Sequence, residues 1–339
     1  MKVVFITESS YEIGLGHLRR CFALACEFEK DKDFEIEFVL PKISEKTQQI
    51  LKEHNFINHS ADERLDLLLN LDKATLILIV DAKTSFYDEF LEKMFEKSVQ
   101  IFGIDDLSCR NIFYTANFSP PAAVIPDTFE FEQREKNYIG WKWVPLHNPI
   151  TTVTHFQEKR KELGSLLLFG GSDPEALSAP SFDYFGRNLP EDNFTLICGP
   201  LMKQSAIDEC KQISSTYGNL KAIESPQNLS VLMDESFYSV TTFGHTFYEL
   251  IAHGNNPLGI YRDFDDVLGL FSTPDLIENN LVSIAQYREL MNDNNPNTAT
   301  EFWHSKRESL GSVDPMIQDL SIELRRGSLN IKSVITDLI

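Results

Sequence analysis

The sequence lacks any apolar run approaching the ~20 residues that a membrane-spanning helix needs, so a membrane-embedded protein is not expected. Cysteine is scarce: five occur among 339 residues, with no CxxC pair. An odd count without paired spacing argues against a disulfide framework or a zinc ribbon, and it suits a reducing compartment. The short apolar run at Val3–Ile6 follows a single lysine and is no secretory signal, so the expected location is cytoplasmic. HExxH, HxH and clustered Asp/His spacings are missing, and no metal or other cofactor is expected. Asp105-Asp106 reads as a pair at a strand end that binds loop amides. A GxSxG elbow is also missing, which removes the usual serine hydrolases. Basic residues are outnumbered, 31 against 51 acidic, for a net charge of -20 spread without an acidic tail. That balance disfavours nucleic acid and anionic membrane surfaces as partners. An anionic substrate then requires a site built locally.

Hydrophobic residues make up 42% of the chain, and its length favours two domains over one. Short β-rich runs alternate with helical patterns from "KVVFIT" through "EIEFVL", "TLILIV" and "VQIFGI". This is the signature of a doubly wound parallel sheet. "TLILIV" is apolar throughout, as a central strand covered on both faces should be. The alternation loosens after Asp105-Asp106 in a proline-bearing segment, and a junction is expected near residues 146 to 164. It resumes with "SLLLFG", "FTLICG", "LKAI", "YSVTTF" and "LGIYR", each followed by a helical stretch or turn. The expected fold class is therefore α/β, with two Rossmann-like domains at 1–150 and 151–339. An extension begins near residue 264, and its terminal helix, "MIQDLSIELRRG", is expected to pack on the second domain. In such an architecture the ligand is expected between the domains, at the carboxyl ends of the strands.

Three glycine-bearing loops lie where a strand hands over to a helix. In "IGLGHLRR", Gly14 and Gly16 open a helix whose backbone amides and dipole favour an anion. The third glycine of the dinucleotide fingerprint is missing, and no acidic residue ends "EIEFVL", so nicotinamide chemistry is not expected. His17 starts the helix facing the ligand side, and imidazole is the side chain best suited to general base work near neutrality. The alternative is a histidine that merely caps or packs the helix start. Of the two arginines that follow, Arg20 is the candidate for contact with phosphate. In "LLLFGGSDPEAL", Gly170 and Gly171 allow close approach to the main chain, while Ser172 or Asp173 can cap the helix that follows. In "VTTFGHTFYELIAHG", Gly244, His245 and Thr246 can offer amides, and Glu249 lies one turn in, where a carboxylate can accept two ribose hydroxyls. His245 and His253 also read as capping and solvating this helix.

With these loops in this order, the sequence resembles the PseG/SpsG family of the pseudaminic acid pathway and spore coat, itself similar to MurG and the GT-B fold. The stretches that carry the resemblance are "IGLGHLRRCFALA", "IFGIDDLS", "LLLFGGSDPEAL" and "SPQNLSVLMDESFYSVTTFGHTFYELIAHGNNPLGI". The resemblance implies hydrolysis of a UDP-linked deoxy-amino sugar without a metal, by attack of water on the anomeric carbon. It implies that His17 activates that water and that Gly16 helps hold the diphosphate or sugar. Gly171, Ser172 and Asp173 would line the diphosphate side, with Gly170 in the same loop; Gly244, His245 and Thr246 would donate main-chain bonds; Glu249 would bind the ribose. The sequence departs from the family at Ile6 and Glu8, at Asp81-Ala82-Lys83, at His147 and at Phe243, which replaces part of a paired glycine within the nucleotide loop. A GT-B glycosyltransferase and a non-catalytic nucleotide-sugar binding protein stand as alternatives.

Overall fold

The computed structural model describes residues 1–41, 45–53, 55–106, 108–120, 135–147, 164–236, 238–261, 283–286 and 315–339. The chain divides into two compact units, one of Met1–His147 with Glu323–Ile339 and the other of Asn148–Ile322. The expected junction falls largely outside the described residues, as does the Asn-rich stretch at 291–309.

The first unit is built on a seven-stranded parallel sheet: β1 (Lys2–Thr7), β2 (Glu35–Leu40), β3 (Ile57–Ser60), β4 (Leu76–Asp81), β5 (Gln100–Ile104), β6 (Ala116–Ser119) and β7 (Asn137–Ile139). Its order is β3-β2-β1-β4-β5-β6-β7. All six residues of β4 are buried, because helices cover both faces of a parallel sheet. Connections from β1 run to one side and those from β4 to the other, so the order reverses between these two strands. At that switch point the crossovers part and leave an opening at the carboxyl ends. Thr7 pairs in register with Asp81, so β1 and β4 finish level with each other.

Helices α1 (Gly16–Glu29), α2 (Glu45–Glu53), α3 (Ala61–Leu68) and α4 (Asp88–Glu96) complete this unit's crossovers. In α1 the residues Leu18, Cys21, Phe22, Ala25 and Phe28 are buried, the i, i+3, i+4, i+7 stripe of a helix lying on a sheet. The same face carries Phe28 against Phe5, with ring centroids 6.5 Å apart.

The second unit carries β8 (Ser165–Leu168), β9 (Phe194–Cys198), β10 (Leu220–Glu224), β11 (Tyr238–Thr241), β12 (Asn256–Tyr261) and β13 (Ser283–Gln286). They form a parallel sheet in the order β10-β9-β8-β11-β12-β13, with its reversal between β8 and β11. Helices α5 (Ser178–Asn188), α6 (Gln204–Thr216), α7 (Leu229–Glu235) and α8 (His245–Ala252) alternate with these strands, and α9 (Pro315–Arg325) and α10 (Gly327–Leu338) follow.

The stretch "MIQDLSIELRRG" forms α9, which through Ile322 belongs to the second unit as expected, with Ser321 Oγ donating to the Ala252 carbonyl at 2.6 Å. The helix after it, α10, was not distinguished in the sequence, and it packs on α1 in the first unit. Ser328 Oγ donates to the Leu146 carbonyl at 3.0 Å, and Lys332 Nζ donates to the Glu27 carbonyl at 2.8 Å. Gly327 makes the approach possible, since a Cβ there would lie 1.8 Å from the Val144 carbonyl oxygen. Among the described residues no helix is long and apolar enough to cross a membrane.

Candidate active site

The carboxyl ends of β1, β4 and β5 bring together four side chains that are far apart in sequence. His17 enters from the first turn of α1, Asp81 ends β4, Asp105 follows β5, and Arg20 lies one turn further along α1. The loop before α1 is closed by Gly14, whose φ of 82° suits glycine and whose N–H donates to the Ser10 carbonyl at 2.8 Å. Leu15 offers the helix no side-chain cap, and its first turn holds no acidic residue. Gly16 is the first helical residue and places His17 at the start of α1.

His17 Nδ1 lies 2.5 Å from Asp81 Oδ1 and 3.0 Å from Arg20 Nη2. A guanidinium only donates, so Nδ1 cannot serve both neighbours as a hydrogen-bond partner. Arg20 Nη2 already donates to Asp81 Oδ1 at 2.8 Å. A ring nitrogen so close to a carboxylate oxygen must therefore carry the hydrogen and donate it. The neutral ring then keeps its lone pair on Nε2, and this tautomer is that of a general base oriented by a carboxylate.

Arg20 completes the arrangement. Its Nε donates to Asp81 Oδ2 at 2.7 Å, and its Nη1 donates to Asp105 Oδ2 at 2.9 Å. Burial works against a carboxylate at Asp81, whose side chain is 1% exposed, but the charge of Arg20 and the hydrogen bonds donated by Arg20 and His17 outweigh it and hold the carboxyl well below its usual range. Burial likewise works against the Arg20 cation, and Asp81 and Asp105 more than restore it. Arg20, the candidate for contact with phosphate, thus has its guanidinium engaged with Asp81 and Asp105. Cys21, buried beside the pair, has its thiol pushed well up by burial and by Asp81, which rules it out as a nucleophile at neutral pH.

The two aspartates after β5 have separate roles, although they were read together from sequence. Asp106 does bind a loop amide: its Oδ1 accepts from Ser108 N at 3.0 Å. It also accepts from the Tyr114 hydroxyl at 2.5 Å and pairs with Arg110 at 3.0 Å. Arg110 in turn donates to the carbonyls of Ala82 at 2.5 Å and Thr84 at 3.1 Å, tying the loop after β4 to the loop after β5. Asp105 binds Arg20 instead. The family departures find places here: Glu8 is buried and accepts from Lys83 N at 2.6 Å, Ile6 is core, and the His147 ring packs edge-on to Phe22 at 5.2 Å.

In the second unit the other two glycine loops follow β8 and β11, the strands at which its sheet order reverses. Gly170 adopts a φ of 79°, and the Gly171 carbonyl accepts from Leu201 N at 2.8 Å. Ser172 is buried with its hydroxyl unpartnered. Asp173 faces inward: Oδ1 accepts from Leu177 N and Oδ2 from Ser178 N, both at 2.9 Å. Its carboxylate thus caps α5, as the capping reading of Asp173 expected. A second anion is not favoured at that helix end.

The loop after β11 is arranged differently. Gly244 precedes α8 without a side-chain cap, the first turn of α8 holds no acid, and apart from its chain neighbours nothing among the described residues lies within 4 Å of where a Cβ on Gly244 would stand. His245 and Thr246 open the helix, and His245 Nε2 lies 3.8 Å from Glu249 Oε1 one turn on. Phe243 was expected at the ligand, but its ring packs over Gly259, whose absent Cβ would stand 2.1 Å from it. This explains the aromatic residue in a glycine-type loop. His253 is the C-cap residue of α8, its N–H donating to the Glu249 carbonyl at 3.0 Å, and its buried ring turns to α7, with Nδ1 2.8 Å from Asp234 Oδ1.

No known family's sequence profile matches the chain. It is 24% identical over 297 residues to the uncharacterized protein MJ1062 of Methanocaldococcus jannaschii, a match that takes in 79% of this chain. The chain spans 58% of the length of that curated relative. Among solved structures, Anabaena Alr3699/HepE in complex with UDP and glucose superposes with a TM-score of 0.60 at 13% identity, covering 99% of this chain and 98% of that one. MurG of Acinetobacter baumannii gives 0.58 at 11%, over 99% and 100%. UDP-GlcNAc 2-epimerase of Neisseria meningitidis bound to UDP-GlcNAc gives 0.55 at 10%, over 99% and 100%. Identities this low establish the fold alone, and the chain has the two-unit α/β architecture of the GT-B fold.

Proposed function

We propose that the chain hydrolyses a UDP-linked sugar without a metal, and that the sugar is a deoxy-amino sugar of the kind used in nonulosonic acid or surface-glycan synthesis. The observation that carries this reading is the His17–Asp81 pair, whose geometry leaves Nε2 of the neutral ring as a proton acceptor at the switch point of the first sheet. Water attacks the anomeric carbon, Nε2 takes its proton, and the bond from that carbon to the diphosphate oxygen breaks with its electrons leaving on UDP. A positioned base contributes typically 10²- to 10⁴-fold. UDP departs as a stable anion and needs no acid.

In this reading the nucleotide is held by the second unit. The diphosphate takes the amides of Gly244, His245 and Thr246 at the uncapped start of α8, with the Gly170-Gly171 main chain beside it, and Glu249 receives the ribose hydroxyls. The structural neighbours with UDP or UDP-GlcNAc bound support a nucleotide-sugar ligand. A second reading, glycosyl transfer, is favoured by the same lone pair, since Nε2 can deprotonate an acceptor hydroxyl as readily as water.

A panel of UDP-sugars, assayed for binding and for UDP release with no acceptor present, tests both readings. His17→Asn and His17→Phe should bind UDP within a few-fold of the wild type and lose hydrolysis by about two decades or more. Normal hydrolysis by these variants overturns the mechanism. Binding by the wild type without UDP release moves the assignment to transfer or to a binding protein.

A further inference from the structure

Asp105 is expensive to keep as an aspartate. Its φ of 54° places it in the left-handed region, which a glycine would occupy without strain. Burial and the neighbouring Asp81 push its carboxyl above the usual range in spite of Arg20, so the fold would be better served by a neutral side chain. Nothing in the turn requires the carboxylate, because Asp105 binds no loop amide through its side chain; the adjacent Asp106 does that work. The side chain of Asp105 is 29% exposed, whereas that of Asp81 is 1% exposed. Oδ2 is held by Arg20 Nη1, and among the described residues Oδ1 has no hydrogen-bond partner. Since Arg20 also grips Asp81, the carboxylate that orients His17, the open oxygen is held in a fixed relation to the general base.

We propose that Asp105 is a specificity-determining residue of the His17 site, with Oδ1 accepting a hydrogen bond from a hydroxyl or N–H on the glycosyl group of the ligand. This rests on the UDP-sugar reading. The chemistry it selects is a donor on the sugar, and a charged acceptor rewards such a donor more than a neutral one does. Strain held at a position whose turn has no use for the carboxylate is the pattern found at ligand-binding sites.

Arg20 makes the test sharp. In Asp105→Asn the guanidinium claims the amide oxygen, so the –NH₂ takes the open position and an acceptor becomes a donor. Asp105→Gly removes the group and relieves the backbone. Titration calorimetry with UDP, UDP-glucose and UDP-N-acetylglucosamine, alongside thermal unfolding, reads both variants. The expected result is UDP affinity within about twofold of wild type, melting temperatures no lower than wild type, and a loss of roughly tenfold or more in affinity for at least one UDP-sugar. Unchanged UDP-sugar binding by both variants overturns the role of Asp105 alone. Unfolding of both variants makes the residue structural and overturns it too. A wild type that binds UDP but gains nothing from either sugar overturns the role while leaving the nucleotide site standing. A wild type that binds none of the three overturns the UDP-sugar reading together with it.

Discussion

Asp81 Oδ1 receives the Nδ1–H of His17 at 2.5 Å and a guanidinium N–H of Arg20 at 2.8 Å, so one buried oxygen sets the tautomer of the histidine and neutralises the arginine. Asp81→Asn keeps the shape but must turn an N–H toward one of these donors. UDP release from a UDP-sugar substrate should fall by roughly two to four decades, as expected when an orienting carboxylate is lost. Leaving buried Arg20 with Asp105 as its one remaining carboxylate among the described residues should lower stability by up to about 3 kcal/mol, read by urea unfolding. A variant with wild-type turnover would show that the histidine is oriented by something else.

The same carboxylate shapes the acid limb of stability. Its folded pKa lies below its unfolded one, so its contribution is fully present above the ordinary aspartate value near 4 and drains away as pH falls through and below it. Asp105 has the opposite sign: its folded pKa is raised, so it weakens the fold as pH rises past the ordinary value. Unfolding free energies measured from pH 7 down to pH 3 should therefore decline less in Asp81→Asn than in the wild type, and Asp105→Asn should gain stability at pH 7. Parallel curves for all three proteins would contradict both assignments.

Gly244 separates ligand approach from folding. Apart from its chain neighbours, no atom of the described residues lies within 4 Å of its missing Cβ, and its φ of −104° suits any residue. Gly244→Val should keep the wild-type melting temperature and lose about tenfold or more in UDP affinity, as the side chain fills the space over the α8 amides. Glu249→Ala should cost UDP about 1.5 to 3 kcal/mol, one to two decades, by removing charge-assisted bonds to ribose. Unchanged calorimetric affinity in both would relocate the nucleotide.

Gly327 is held to glycine by its surroundings. In Gly327→Ala the new methyl meets the Val144 carbonyl, a backbone atom that cannot step aside alone. The first unit should lose about 1 to 3 kcal/mol, the range for forced overpacking, with UDP affinity in the second unit unchanged. Urea unfolding followed alongside UDP titration checks both halves of this expectation.

Much of this was legible in the sequence. β4 and α1 announce themselves by an unbroken apolar run and a clear helical stripe, and His17 by the glycines around it. The strands that escaped notice are short: β3 reads "INHS" at a sheet edge, where half-polar residues are tolerated and no alternation survives. Asp81 appeared only as a departure from a family pattern, because its role depends on the register that sets β4 level with β1. Asp105 and Asp106 look equivalent in sequence; only the left-handed turn between them sends one to Arg20 and the other to Tyr114 and Arg110. The capping role of Asp173 was legible from its place after a glycine loop, whereas the choice between Ser172 and Asp173 was not, because both residue types cap.

The docking of α10 on α1 fixes an order of events in synthesis. Lys332 and Glu27 stand 305 positions apart, and Ser328 and Leu146 stand 182 apart. A ribosome delivers residues from the amino end, so the first unit emerges early, yet its covering helix arrives after the whole of the second has been made. Until then the Phe28 face of α1 that α10 approaches is open to water and to other nascent chains. The second unit is continuous in sequence and can close on itself without delay. Of these two units, the histidine-bearing one is thus translated before the other and completed after it.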